Sequence, residues 1–259
     1  MKDIETWMNS AEEAARAAGD CLRAGSAELR QIHFRDRADV KLRADLESEA
    51  LIRSLLAKAT PFPVIGEEQG GDASLTERNE LYWVVDPLDG TYNYLRDSPH
   101  CCVSIGLLRG ETPVGGVIYD FNANTCFRGC VTAGLEIDGR AVQPQWAESL
   151  DQAVLQTGFP AAMSKSSAAL EDFIRHVQRF KKVRMIGSAA LALAYVASGR
   201  ADVYFEASIR WWDVAAGLAL VQAAGGVVRM KPSPSGQPLT YDVWAAGRNA
   251  FLEPRAANE

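Results

Sequence analysis

The 259-residue sequence predicts an α/β protein with two β-sheets and helices buried between them. Three observations carry that expectation. Residues 101–142 read as short apolar strands separated by turn residues, which is the pattern of an antiparallel meander. From about residue 151 the rhythm changes to strand–helix alternation, which builds a second, mixed or parallel sheet. The helices expected over 188–198 and 214–224 are apolar almost all round, so they belong between layers rather than on a half-exposed surface.

Residues 3–30 space Ile4, Trp7, Met8, Ala11, Ala14, Ala15, Ala18 and Leu22 as one helical face. Glu12, Glu13, Arg16 and Asp20 fill the solvated side. A second helix is expected from Asp45 to Lys58, ended by Thr60-Pro61. The meander comprises Cys101–Leu108, Val114–Tyr119, Thr125–Val131 and Leu135–Val142, punctuated by Gly110, Asn122, Asn124, Gly134 and Asp138-Gly139. Then come strand Ala153–Thr157, helix Ser166–Phe180, strand Arg184–Ile186, helix Ser188–Ser198, strand Asp202–Phe205, helix Trp211–Ala224 and strand Gly226–Met230. Pro232-Ser-Pro-Ser-Gly236 reads as a surface loop. The expected division is an N-terminal α+β half, 1–150, and a C-terminal α/β half, 151–259.

Hydrophobic residues make up 47% of the chain, enough for a sizeable core. No apolar run approaches the roughly 18 residues of a membrane span, and the N-terminus lacks a secretory apolar region, so a cytoplasmic protein is expected. Five cysteines without framework spacing suit a reducing compartment. The net charge of −6 argues against a nucleic-acid partner held by a broad basic surface. It leaves an anionic substrate open, because bound divalent cations invert the sign of a carboxylate-lined site.

The segment Leu81-Tyr-Trp-Val-Val-Asp-Pro-Leu-Asp-Gly-Thr-Tyr-Asn-Tyr-Leu95 is the most informative. An apolar strand ends in Asp86 and Asp89, and Gly90-Thr91 opens a short helix. Carboxylates beside helix-start N–H groups suit cations and phosphate together. Asp also caps helices and makes turns, so the pair alone decides little. Upstream, Pro61-Phe-Pro-Val-Ile-Gly-Glu-Glu68 ends in acid. Downstream, Trp211-Trp212-Asp213 puts one acid at the start of an apolar helix that closes at Gly225-Gly226.

In this order the three segments resemble the inositol monophosphatase family of metal-dependent phosphomonoesterases. Its pattern is Gly-Glu-Glu, then Asp-Pro-(Ile/Leu)-Asp-Gly-Thr-x-Asn, then Trp-Asp-x-Ala-(Ala/Gly)-Gly. The resemblance implies a layered α-β-α-β-α sandwich of the inositol monophosphatase/fructose-1,6-bisphosphatase type. It implies two to three Mg2+ ions held by Glu67, Asp86, the carbonyl of Leu88, Asp89 and Asp213, with Asp86 bridging two. For Asp213 the plain helix-cap reading stands beside the ligand reading. Gly90 and Thr91 would receive phosphate oxygens, and Thr91 with Asp45 would position and deprotonate the attacking water. Ser188, Ala189 and Glu206 would face the substrate's hydroxyls; for Arg210, substrate contact and surface remain equally open. The family's Asp-x-Val-Thr-x-x-Asp-x-x-x-Glu stretch here reads Asp39-Val-Lys-Leu-Arg-Ala-Asp45-Leu-Glu-Ser-Glu49, with Leu42 in place of Thr.

The implied activity is Mg2+-dependent, lithium-sensitive hydrolysis of inositol or similar polyol phosphates by a homodimer. Histidinol phosphate is the alternative substrate. A regulatory, transcription-associated role, which some bacterial family members have, is the reading from a different class.

Overall fold

The computed structural model describes residues 2–25, 27–35, 40–159 and 166–252. Asp39, first residue of the stretch resembling the family, lies outside the described residues. Helix α1 (Lys2–Ala24) is followed by the hairpin β1 (Ile32–Arg35) and β2 (Val40–Leu42), then by α2 (Arg43–Ala59). α1 stops well short of residue 30, since the chain turns at Gly25, whose N–H bonds to Cys21 O. The hairpin has no counterpart in the sequence reading. The segment leading into it has a structural task, because Gln31 O and Leu29 O accept the N–H groups of Arg43 and Ala44 at the start of α2.

The larger sheet runs in chain order through β3 (Val64–Gly66), β4 (Leu81–Asp89), β5 (Cys102–Arg109), β6 (Thr112–Asp120), β7 (Thr125–Cys130), β8 (Gly134–Ile137) and β9 (Arg140–Val142). β3 and β4 are parallel and the other pairs antiparallel. The expected strand over Leu135–Val142 is instead the hairpin β8–β9, because Asp138 and Gly139 both take positive φ and turn the chain back. Short helix α3 (Thr91–Leu95) sits between β4 and β5.

The second sheet has the order β11–β10–β12–β14–β13 and is mixed. It contains β10 (Val154–Thr157), β11 (Lys182–Arg184), β12 (Val203–Arg210), β13 (Val227–Pro232) and β14 (Thr240–Ala246). Helices α4 (Ser167–Val177), α5 (Ala189–Ala197) and α6 (Trp211–Ala223) connect its strands. β11 falls earlier than the expected 184–186, since its pairing with β10 ends at Arg184 and the chain then turns toward Gly187. β14 was not anticipated. Asp242 interrupts its apolar pattern and is tolerated because it accepts the Ser208 N–H.

Side chains alternate across β4 and join two cores. Trp83 and Val85 face α1 and α2. Tyr82 and Val84 face α5 and α6, whose other side meets Tyr204, Val243 and Ala245 of the second sheet. Leu155, Val203, Phe180 and Phe251 cover that sheet's outer face. The layers are therefore α-β-α-β-α. At Gly116 on β6 a Cβ would collide with the carbonyl of Ala216, so the missing side chain lets α6 lie against the sheet. That close seating fixes where the first turn of α6, and with it Asp213, enters the space between the sheets.

Candidate active site

The expected site residues come from the ends of separate elements. Glu67 follows β3, Asp86 and Asp89 close β4, and Gly90-Thr91 opens α3. Asp45 is in the first turn of α2, Ser188 precedes α5, Glu206 is on β12 and Asp213 is the third residue of α6. Apart from Asp45, which sits behind Thr91, they line one open cleft of about 950 Å3.

Oxygens of Glu67, Asp86 and Asp213 lie within 4.8 Å of one another. Burial pushes the Asp86 carboxyl well above the usual carboxylate range, and Glu67, Asp89 and Asp213 push it further. Burial likewise raises Asp213, with Asp89 and Glu206 adding to it, and Glu67, with Asp213 and Asp45 adding to it. Three acids so close cannot all ionise without a counter-charge. Oxygen-only donors, clustered and facing a cleft, fit a hard divalent cation. Asp213 is no N-cap: that place belongs to Arg210, whose N–H Asp213 accepts from inside the first turn.

Asp89 stands outside this triplet. Its Oδ2 accepts the Ser188 hydroxyl at 2.6 Å and the Ala190 N–H at 2.7 Å, at the N-terminus of α5. Burial lifts it to about 6, with these bonds opposing. Ser188 also accepts the Leu191 N–H as the helix cap. Ser188 therefore joins the two halves of the chain through Asp89, besides lining the cleft.

Thr91 Oγ1 is 2.9 Å from Asp45 Oδ1 and 3.1 Å from Leu88 O, either of which can accept its proton. Asp45 Oδ2 accepts the Leu42 N–H at 2.6 Å. Burial raises Asp45 to about 7 against these bonds. Leu42 is buried in the core and offers no cap to α2, so Asp45 and the carbonyls of residues 29 and 31 satisfy that helix start. Asp86 Oδ1 accepts the Leu88 N–H at 3.0 Å, which sets the turn through Pro87. Gly90 has φ 89°, and a Cβ there would sit 2.6 Å from the His100 carbonyl. α3 is little more than one turn, so phosphate contact there would rest on individual N–H groups rather than on a helix dipole.

The inositol monophosphatase family profile matches residues 3–255, nearly the whole chain. The chain belongs to the inositol monophosphatase family. It is 40% identical over 225 residues to a protein named Nus factor SuhB from Xylella fastidiosa, covering 85% of this chain and 80% of that one. It is 36% identical over 228 residues to an inositol-1-monophosphatase from Synechocystis sp., covering 87% and 79%. The solved structure of the extragenic suppressor protein suhB from Bartonella henselae superposes with a TM-score of 0.82 at 31% identity over 95% of both chains. The family supports a metal-dependent phosphatase.

Several supports of this inositol monophosphatase family site were not assigned from sequence. Glu49, buried at the middle of α2, accepts the Glu68 and Gln69 N–H groups and an Arg53 N–H at 2.7 Å. Arg53 also donates to Val64 O and Gly70 O, so this i,i+4 pair pins the turn carrying Glu67. Ser48 Oγ donates to Pro87 O at 3.0 Å. Asn93 Nδ2 lies within hydrogen-bond distance of three carbonyls, those of His100, Ile186 and Gly187, and so ties α3 to the turn before α5. Glu49 and Asn93 stand in the motifs, a signal that marks them without saying what they hold.

At the other end of the cleft Glu206 Oε2 accepts the Tyr204 hydroxyl at 3.0 Å, and burial raises its carboxyl to about 7. The pairing of β12 with β14 is irregular between Glu206 and Ile209. Ser208 there has φ 55°, held by its N–H to Asp242 and its hydroxyl against Ser233 at 2.8 Å. Arg210 lines the cleft, donates to Thr240 Oγ1 and lies over the Trp212 ring. His33, His100 and His176 do not line the cleft. The five cysteines are all free thiols. Among the described residues, no helix is long and apolar enough to cross a membrane.

Proposed function

We propose that the protein hydrolyses phosphate monoesters of inositol or similar polyols, using Mg2+ held by Glu67, Asp86, Leu88 O, Asp89 and Asp213. The observation that carries this reading is that Thr91, hydrogen-bonded to Asp45 behind it, lines the same cleft as the Glu67, Asp86 and Asp213 cluster. Asp45, held near 7, suits a general base at neutral pH. Thr91 Oγ1 takes a proton from the attacking water as its own passes to Asp45. The water oxygen bonds to phosphorus, the P–O ester bond breaks, and the leaving oxygen is protonated from solvent. Bound Mg2+ supplies the positive charge that makes the water acidic and stabilises the leaving oxygen. The Gly90 and Thr91 N–H groups hold phosphoryl oxygens. Glu206 accepts bonds from substrate hydroxyls, with Ser188 and Ala189 forming the facing turn.

Phosphate release from inositol 1-phosphate, histidinol phosphate and p-nitrophenyl phosphate, with Mg2+ and with EDTA, tests the reading. Release from inositol phosphate that needs Mg2+ and is inhibited by lithium is expected. Unchanged turnover after exhaustive chelation would overturn it. Preference for histidinol phosphate would move the substrate to the amine alternative, with Glu206 pairing the amine. We propose further that the chain is a cytoplasmic homodimer, for which light scattering should give twice 28.2 kDa. Similarity to proteins named Nus factors favours a second reading, a transcription-associated role. Absence of phosphatase activity on every ester with Mg2+ present would favour it over the first.

A further inference from the structure

The register of β4 with β5 sets Ser104 opposite Asp86 and Cys102 opposite Asp89. Directly opposed residues of an antiparallel pair share one face of the sheet, with Cβ atoms roughly 4.5–5.5 Å apart. Here that face meets α5 and α6. Val84, Cys102 and Ile118 on it belong to their core, and a Cβ on Gly106 would lie 3.0 Å from Ala216 N. Ser104 is 1% exposed, and among the described residues its hydroxyl has no hydrogen-bond partner. A buried hydroxyl without a partner costs stability, and an alanine would occupy the same place without that cost.

The four nearest neighbours on this face narrow what the hydroxyl can meet. Across the strands they are Asp86 on β4 and Ile118 on β6; along β5 they are Cys102 and Gly106. Ile118 and Gly106 offer no polar side-chain atom. Cys102 Sγ lies 3.8 Å from Asp89 Oδ2 and 3.8 Å from Ser188 Oγ. That leaves the Asp86 carboxylate. The two acids are served unequally: Asp89 takes the Ser188 hydroxyl and the Ala190 N–H besides the thiol of its β5 partner, whereas Asp86 takes the Leu88 N–H through Oδ1.

We propose that Ser104 is a positioning residue for the cation site: with Mg2+ bound, its Oγ–H donates to the Asp86 carboxylate and holds it in the orientation the cation needs. Rotation about χ1 carries a serine hydroxyl between staggered positions, so the backbone need not move. Carboxylates that ligate a metal are themselves hydrogen-bonded, and removing such a support costs about ten- to a hundredfold in metal affinity or activity. The hydroxyl is thus a burden to the metal-free chain and a gain to the loaded one. The proposal rests on the metal-dependent reading of the site, with Asp86 as a ligand. Because Asp86 serves every ester alike, Ser104 bears on the cation and not on the choice of alcohol.

The experiment is calorimetric titration of Mg2+ into the full-length, EDTA-stripped and dialysed protein, with thermal melts in EDTA and in Mg2+ at one fixed pH, for wild type, Ser104→Ala and Ser104→Cys. Ser104→Ala should bind Mg2+ about tenfold more weakly, and Ser104→Cys, which keeps a weaker donor, should fall between it and wild type. In EDTA the Ser104→Ala melting temperature should equal or exceed that of wild type, while its rise on adding Mg2+ should be smaller. This opposition separates the proposed role from a merely structural one, which would lower stability in both conditions. The Mg2+ concentration for half-maximal turnover should climb by the same factor with inositol phosphate and with p-nitrophenyl phosphate, and kcat at saturating Mg2+ should change less. Wild-type Mg2+ affinity in Ser104→Ala overturns the proposal. So does a lower melting temperature in EDTA with an undiminished Mg2+ response, which would make the hydroxyl part of the packing alone. Wild type that binds Mg2+ but hydrolyses no ester would remove the phosphatase reading and leave Ser104 to be judged by the titration. Wild type that binds no Mg2+ removes both.

Discussion

At the acid end of the cleft, side chains are tied to main chain from several elements at once. Asp45 holds the Leu42 N–H, Asp86 the Leu88 N–H, Asp89 the start of α5, and Glu49 the turn beyond Glu67. At the Glu206 end the strand is irregular, Ser208 is held at positive φ by side-chain bonds, and Phe159 at the rim is 49% exposed. The difference fits a division of labour. Charge placement around a reacting phosphorus tolerates little displacement, whereas recognition of an alcohol works through a few adaptable polar contacts.

The sharpest way to break this comparison is to damage each end separately. Asp86→Asn removes the acid at the centre of the cluster and should cost about a hundredfold or more in kcat, whatever the ester. Glu68→Gln should leave kcat far less affected, since Glu68 contacts Lys41 rather than the triplet. An Asp86→Asn enzyme with wild-type kcat would refute the ligand assignment.

Glu206→Ala should act on KM instead. Loss of a hydrogen-bonding carboxylate predicts about a tenfold rise for inositol phosphate, with kcat nearly intact. p-Nitrophenyl phosphate, which has no hydroxyl to offer, should scarcely respond. Equal losses on both esters would erase the proposed distinction between the two ends.

The metal-free protein offers a smaller, thermodynamic effect. Asp45 and Glu206 sit at about 7 and Asp89 at about 6 in the folded chain, all above the roughly 4 of an unfolded carboxyl. Between those values the folded state binds more protons than the unfolded state. Stability therefore falls as pH rises through the folded pKa values. In EDTA the melting temperature should drop between about pH 5 and pH 8, and Mg2+ should recover most at the alkaline end. A flat profile in EDTA would mean the carboxyls are not desolvated without metal.

The smallest expected effect is at the irregular strand. Ser208→Gly relieves a left-handed residue but forfeits its contact with Ser233, so chemical denaturation should show a change within about 1 kcal/mol. A larger loss would show that the Glu206 end is held as firmly as the acid end.

Glu67, Asp86, Asp89 and Asp213 were legible in the sequence because they fall where an apolar strand ends or in the first turn of an apolar helix. Such junctions leave a mark in one dimension, and the Asp86-Pro-Leu-Asp-Gly-Thr91 run joins metal-type and phosphate-type groups within six residues. Glu206, by contrast, lies within a strand and was marked only by the resemblance. The meander and the buried α5 and α6 were legible for a similar reason, since periodicity and its absence are local properties. What the tertiary structure alone decided depends on partners far apart in the chain. Asn93 reaches Gly187, Ser188 reaches Asp89, and Ser208 takes its backbone form from Asp242 and Ser233. Strand β14 was hidden because its central carboxylate is satisfied only across the sheet, and the direction of each carboxyl's titration follows from burial that no neighbouring residue reports. Local pattern named the acids that line the cleft; long-range packing set which of them meet, at what distance, and how burial shifts their charge.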